Sequence, residues 1–400
     1  MHLFHSWKKL RYTSICERSA GRVDYRLDKK STQARVKKLE DLRWLFDNLG
    51  LDPHYRDWFR HRAWIRTIHG TTRIEGNSLN DLEVEDVLER MPAIRTKDAR
   101  EVVATRAALA FVDEVAEDPR LRVDEGVIRE IHKRVLHDID PMLRPGEFRT
   151  GENRVADANG AIIFTTALSG DVPDVMHRLG SWLRSGSGGE HPAVAAALAH
   201  LELVAIHPFY DGNGRTARAL SRLVLIHHGF ALDGLVSLDA YLDLQRREYF
   251  AAIRASLGKA YRRGYDATPF VGYFLEAING AAEFVLSRVN GTTALLSTLR
   301  AAVARDEIAA RLTDALVYAW INGSIRPADY IRISKRSAPS ASRDLAQAVQ
   351  AGYLVPTGET QSRRYDLGPR LKAVQPVPVK QRQGQVAARK GRKRLPPVRH

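Results

Sequence analysis

Two apolar, helix-forming stretches, residues 194–206 and 217–226, are separated by a single short junction, and residues 207–218 across it read HPFYDGNGRTAR. This junction constrains the chain more than any other feature, because two helices must be joined through a tight loop. Gly212 and Gly214 let the backbone turn sharply and approach a ligand closely. The amides that follow open a new helix, and a helix N-terminus is an anion site. Arg215 and Arg218 lie three residues apart, so they share a helix face and can grip one polyanion. Asp211 is a hard oxygen ligand suited to Mg²⁺ on a phosphate. His207 can accept a proton near neutral pH. A plain turn, with Asp211 and Asn213 as caps and the arginines solvated, requires neither the histidine nor the aromatic. The combination suits phosphoryl or nucleotidyl transfer.

The string matches every fixed position of HPFx[D/E]GN[G/K]RxxR and so resembles the Fic (Fic/Doc) family, whose members mostly transfer AMP from ATP to a protein hydroxyl. The resemblance implies that His207 is the general base, Phe209 a core anchor and Asp211 the Mg²⁺ ligand. It implies that Gly212, Asn213 and Gly214 form the anion cradle, and that Arg215 and Arg218 bind the β- and γ-phosphates. Upstream, residues 144–149 (RPGEFR) look like the family's PGxYR segment. The β-rich stretch Ile162, Ile163, Phe164 and Thr165 then looks like the flap that aligns a target segment by strand pairing, although an ordinary surface hairpin has the same pattern. Downstream, Ser237, Tyr241, Arg246 and Tyr249 fit the family's border of the adenine pocket. Gln245 and Phe250 depart from the usual asparagine and tyrosine, and plain core packing explains these aromatics equally well. The similarity covers roughly residues 35–285.

Residues 71–77 (TTRIEGN) match the family's inhibitory pattern [S/T]xxxE[G/N]. The spacing places Thr71 and Glu75 on one face of a short helix. By resemblance, Glu75 pairs with Arg218 and keeps it from the γ-phosphate. The competing reading is local: Thr72 and Glu75 also have capping-box spacing.

Lys and Arg number 62 against 47 Asp and Glu, a net charge of +15. The excess is concentrated at the end. Residues 370–400 carry ten Lys or Arg and no acid, and the remaining 369 residues carry +5. With Pro376, Pro378, Pro396 and Pro397, that tail reads as disordered and cationic, fit to touch nucleic acid or an acidic partner or simply to solubilise. The one cysteine, Cys16, excludes an intrachain disulfide framework and fits a reducing cytoplasm. No apolar run of membrane-spanning length occurs, and the N-terminal residues have no apolar signal-peptide core.

The periodicity predicts helices from Val36 to Leu49, at 82–88, 102–115, 124–137 and 172–183, and onward to about 286. A Gly-Thr-Thr break is expected at 291–293. Beyond it, helices at 308–320, 327–333 and 337–350 and a β-wing around Gly358 resemble a winged helix-turn-helix. Ser340, Ser342, Arg343 and Gln347 would face outward on its third helix, to read DNA or to dock a protein.

The expected fold is mainly α. Residues 1–30 form a basic, poorly ordered N-terminal segment and 31–110 N-terminal helices with the inhibitory motif. Residues 111–288 form the Fic catalytic core with its β-hairpin flap, 294–368 the winged helix-turn-helix and 369–400 the disordered basic tail. The expected activity is protein adenylyltransferase, with ATP as cosubstrate, Mg²⁺ as metal, a Ser, Thr or Tyr hydroxyl of a protein as acceptor, and no membrane. Removal of AMP and use of another nucleotide are the close alternatives. The distant alternative is a DNA-binding regulator whose Fic core is a sensor. Intact His207, Asp211 and Arg215 favour the enzyme; the winged helix and the basic tail favour the regulator. A second copy of the chain, in a homodimer, is a further candidate partner.

Overall fold

The computed structural model describes residues 23–90, 96–156, 159–359 and 363–374. The expectations for residues 1–22 (Cys16 among them) and 375–400, and for residues 360–362 of the expected β-wing, lie outside the described residues. The architecture is mainly helical, and it divides into two compact units between Val285 and Leu286.

The first unit contains helices α1 (Lys29–Asp47), α2 (Pro53–Ile74), α3 (Asp81–Arg90), α4 (Lys97–Ala116), α5 (Glu125–Val135), α6 (Val172–Arg184), α7 (Pro192–Ile206), α8 (Asn213–His227), α9 (Leu238–Leu244) and α10 (Arg246–Leu257). Helix α11 (Thr268–Arg305) begins in it. Helix α7 is apolar on every side and almost wholly buried, which marks a central helix rather than a surface one. Its alanines let neighbours approach closely, and α8 packs along it. Around this pair, α4 and α5 pack on α8, and α9 packs on α2. A Cβ at Gly70 of α2 would overlap the backbone of Asp239 and Ala240, so that helix crossing requires glycine. The stretches 31–110 and 111–288, separate in the sequence reading, therefore share one core up to residue 285.

Two expectations need correction here. Residues 23–30 are not loose. Val23 is buried, and strand β1 (Tyr25–Arg26) pairs in parallel with β4 (Tyr265–Asp266). Asp28 caps α1 by accepting from the amides of Lys30 and Ser31. A partner strand more than 200 residues away supplies this order, so no local pattern announces it. Nor does the chain break at 291–293. Helix α11 is continuous there, with Thr292 and Thr293 hydroxyls donating to the carbonyls of Arg288 and Val289. Buried Val289, Leu295 and Leu299 outweigh the roughly 1 kcal/mol that Gly291 costs a helix interior.

The stretch expected to be the flap forms a hairpin of β2 (Arg154–Ala156) and β3 (Ile162–Thr165), antiparallel with a bulge between Val155 and Ala156. Phe164 is buried and Ile162 exposed.

The second unit runs α12 (Leu312–Asn322), β5 (Ser324–Ile325), α13 (Pro327–Ser334), α14 (Ala338–Gln350), β6 (Leu354–Thr357), β7 (Arg364–Leu367) and α15 (Pro369–Lys372). Its antiparallel sheet has the order β5-β7-β6. The helix expected from 308 starts at Leu312, after Glu307 adopts a positive φ of 53°. On α14, Ser342 and Arg343 are exposed, but Gln347 is not free to face outward: its side-chain oxygen accepts from the Ala309 amide at 3.3 Å. No helix among the described residues is long and apolar enough to cross a membrane.

Candidate active site

The junction forms because α7 ends abruptly. His207 adopts the left-handed conformation (φ 53°, ψ 59°), an uncommon and strained state for a side chain with a Cβ. Its amide still donates to the Leu203 carbonyl at 2.9 Å. Gly212 (φ 75°) then caps α8, and a Cβ there would press on Val135, His132 and Leu136. Between them, Asn213 closes the loop on Phe209. The Phe209 amide donates to Asn213 Oδ1 at 3.0 Å, and Asn213 Nδ2 donates to the Phe209 carbonyl at 2.8 Å. Phe209 is fully buried.

Two side chains not singled out as functional in the sequence hold this loop in place. The His132 ring stacks on Phe209 with centroids 3.6 Å apart. Its Nδ1 accepts from the Gly146 amide at 2.9 Å, so Nε2 carries the proton and donates to the Asp211 carbonyl at 3.0 Å. Burial pushes its pKa down to about 4, which keeps that neutral tautomer. Arg149, fully buried, donates from Nε to the His207 carbonyl at 2.8 Å and from Nη1 to the Gly151 carbonyl at 2.8 Å. Its Nη2 reaches Thr166 Oγ1 at 3.1 Å and the Ala167 carbonyl. One guanidinium thus ties the flap ends to the loop. The sequence held both residues, Arg149 in the RPGEFR segment and His132 on an amphipathic helix, but not their partners.

His207 Nδ1 lies 3.3 Å from the Val204 carbonyl, which can only accept. Nδ1 therefore holds the proton and Nε2 keeps its lone pair. Burial lowers the His207 pKa, so the ring is neutral at pH 7 and can act as a base. Asp211 is half-exposed, and its Oδ1 accepts from the Gly212 amide at 2.6 Å. One open carboxylate beside a helix N-terminus fits Mg²⁺, which takes few protein ligands and the rest from phosphates and water. Arg215 is only 3% exposed, and neither its Nε nor its Nη1 makes a hydrogen bond among the described residues. A buried guanidinium with unmet donors at a helix N-terminus fits a polyphosphate.

Arg218 is also buried, and its Nε and Nη2 are both engaged. Its Nε donates to Thr71 Oγ1 at 2.7 Å, and its Nη2 to the Thr71 carbonyl at 3.0 Å and to Glu75 Oε1 at 2.7 Å. Burial works against its charge, but Glu75 and Asp239 hold its pKa above the ordinary value. The Glu75 carboxylate lies so close to Gly214 that a Cβ there would overlap it. It sits at the start of α8, where an anion belongs. Glu75 is not on a short helix, and Thr72 and Glu75 form no capping box. Thr72 lies in the last turn of the 22-residue α2 and donates back to the Ile68 and His69 carbonyls. Gly76 (φ 98°) ends that helix, and the Asn77 amide reaches the Thr72 carbonyl at 3.2 Å. A helix C-terminus disfavours a carboxylate, so Glu75 is held by Arg218 and not by its own helix.

Of the tyrosines expected at the base pocket, Tyr249 is buried and Tyr241 half-buried. Tyr249 is 1% exposed, with its hydroxyl 2.8 Å from His200 Nε2. The hydroxyl end of Tyr241 packs on Gly280, where a Cβ would overlap it, and accepts from Gln245 Nε2. Tyr249 is thus a packing residue of the core, whereas Tyr241 is half-buried. On the flap, the Thr165 amide and carbonyl are taken by Lys259 and Tyr261. Ile163, two residues back, shares that edge.

The Fic/DOC family model matches residues 122–225. The chain is 32% identical over 247 residues to protein adenylyltransferase fic-1 of Caenorhabditis briggsae, covering 60% of this chain and 44% of that protein. It is 31% identical over 219 residues to protein adenylyltransferase Fic of Aedes aegypti, covering 54% and 41%. The chain thus spans under half the length of these curated relatives. Among solved structures, Fic-1 from C. elegans aligns with a TM-score of 0.52 at 27% identity, over 64% of this chain and 72% of that one. A Fic family protein from Desulfovibrio desulfuricans aligns with a TM-score of 0.56 at 20% identity, over 87% and 98%, and shares the fold.

Proposed function

We propose that the chain, whose residues 122–225 match the Fic/DOC family model, is a protein adenylyltransferase held inactive by its own Glu75. The observation that carries this is the common site of a neutral His207, an open Asp211 carboxylate and the hydrogen-bond-poor Arg215 at the α8 N-terminus. His207 Nε2 takes the proton of a Ser, Thr or Tyr hydroxyl on a target protein. That oxygen bonds to the α-phosphorus of ATP, the bond to the bridging oxygen breaks, and pyrophosphate leaves with the electron pair. Asp211 would hold Mg²⁺, which supplies charge neutralisation on the phosphates. Arg215 and the α8 amides take up the charge on the leaving oxygens. In the inhibited state Arg218 is spent on Thr71 and Glu75, and the Glu75 carboxylate stands where a terminal phosphate would bind. Relatives named as adenylyltransferases support the reaction, and the single cysteine supports a reducing compartment such as the cytoplasm.

The test is incubation with labelled ATP, Mg²⁺ and a cell lysate, comparing wild type with Glu75→Gly. Label on protein that rises in the variant supports the reading. No transfer by either form sinks it, and release of AMP from modified protein makes the enzyme a remover.

A second reading concerns the C-terminal unit. Its order of helix, strand, helix, helix and two-stranded wing supports a winged helix-turn-helix, and exposed Ser342 and Arg343 on α14 support contact with DNA phosphates. Regulation of, or by, a DNA site would then accompany the enzyme.

A further inference from the structure

Arg215 carries a buried charge without a full hydrogen-bond set, so its counter-charges matter. Asp211 Oδ2 lies 3.6 Å from its Nη2, and the Glu101 carboxylate, from the second turn of α4, lies 4.0 Å from its Nη1. Glu101 is itself buried and is fixed from the other side. Its Oε2 accepts from Asn77 Nδ2 at 3.0 Å, and Lys97 lies 3.7 Å from Oε1. Asn77 follows Glu75 by two residues and is also buried, and its Nδ2 also donates to the Asp98 carbonyl at 3.0 Å. The Ser78 amide and hydroxyl both donate to the Asp98 carboxylate. The loop that carries Glu75 is therefore stapled to the start of α4, and the staple ends on Arg215.

We propose that Glu101 is a second inhibitory acid, facing Arg215 across 4.0 Å through charge alone, where Glu75 hydrogen-bonds Arg218, and held in place by Asn77. This rests on the reading of the site as a nucleotide site. In the resting protein, Glu101 adds to Asp211 in compensating the buried cation. When a polyphosphate arrives, the same carboxylate opposes it, because two anions then compete for one guanidinium. Glu101 acts through Arg215 and is not a catalytic residue. Asn77 couples the two acids, so displacement of the inhibitory loop frees both arginines.

The two roles open to Glu101 predict opposite signs. If it only orients Arg215, its loss weakens polyphosphate binding; if it competes, its loss strengthens binding. The measurement is calorimetric titration of the full chain with inorganic tripolyphosphate, without catalysis. In the Glu75→Gly background, Glu101→Gln should bind about three- to tenfold tighter, the range expected when one screened charge near 4 Å is removed. Asn77→Ala, which unpins the carboxylate, should shift binding the same way by less. If Glu101→Gln does not fold, Glu101→Asp keeps the charge, withdraws it by one methylene and should also bind tighter. Equal or weaker binding by the folded variants overturns the proposal. The nucleotide-site reading fails separately, if tripolyphosphate does not bind Glu75→Gly at all or if Arg215→Ala leaves its affinity unchanged.

Discussion

Asn213 and Phe209 clasp each other through two hydrogen bonds, 3.0 and 2.8 Å long, and that clasp sets the shape of the loop between α7 and α8. Asn213→Ala would leave the buried amide of Phe209 without its partner, while the carbonyl keeps the 3.3 Å bond from Asn153 Nδ2. The expected cost is about 1–3 kcal/mol, the desolvation penalty of that one amide. Asn213→Asp keeps the acceptor and loses the donor, so its cost should fall between. Denaturant unfolding of the three proteins checks the order; a melting curve unchanged in Asn213→Ala would show that the clasp contributes nothing.

His207→Ala removes the general base but leaves Asn213, Arg215 and the α8 amides in place. Transfer should fall by about 10²-fold or more while ATP binding survives. A radiolabel assay beside a binding titration separates the two. Near-normal transfer by the folded variant would remove His207 from the mechanism.

Glu75→Gly frees Arg218, so transfer and self-modification should rise. Arg218→Ala in that background should lower them again, because Arg218 is then needed for the terminal phosphate. The structure excludes a cap-only role for Glu75, so stability loss alone does not account for an effect. Activity that stays flat in a folded Glu75→Gly protein, given ATP and Mg²⁺, refutes self-inhibition.

Three buried groups set opposing pH dependences. Burial lowers His132 to about 4 and His200 to about 3, against an ordinary 6.5. The unfolded chain binds these protons first, so the stability these neutral rings contribute is full above 6.5 and lost as pH falls. Glu202, beneath the Tyr265 hydroxyl, is pushed up to about 7 by burial. Its contribution is full below 4.5 and lost as pH rises through about 7. Glu202→Gln still accepts from Tyr265 and removes the buried charge. At pH 8 it should exceed wild type by up to roughly 3 kcal/mol, and its stability should climb more steeply between pH 4.5 and 6.5. Melting curves across that range decide it; parallel wild-type and variant profiles would place the Glu202 titration elsewhere.

If α14 docks on a duplex, the full chain should bind DNA with a steep salt dependence. Arg343→Ala should then reduce the salt slope by about one. A chain that ignores DNA at low salt makes the C-terminal unit a protein-docking module.

The sequence by itself determined the helices and the loop chemistry. Apolar periodicity is a local property, and the residues of 207–218 sit close enough together for spacing alone to indicate an anion site. The tertiary structure decided what spacing cannot. Glu75 and Arg218 are 143 residues apart, and the capping-box alternative failed only because Thr72 lies at the end of α2 and not at a helix start. Arg149 and His132 hold the loop through partners 58 and 79 residues away, where no local pattern reaches. Tyr249 matches a pocket border in sequence, yet the fold buries it against His200, 49 residues away. Helix α11 crosses its Gly-Thr-Thr sequence because residues around it are buried, and burial belongs to the assembled fold rather than to any one segment.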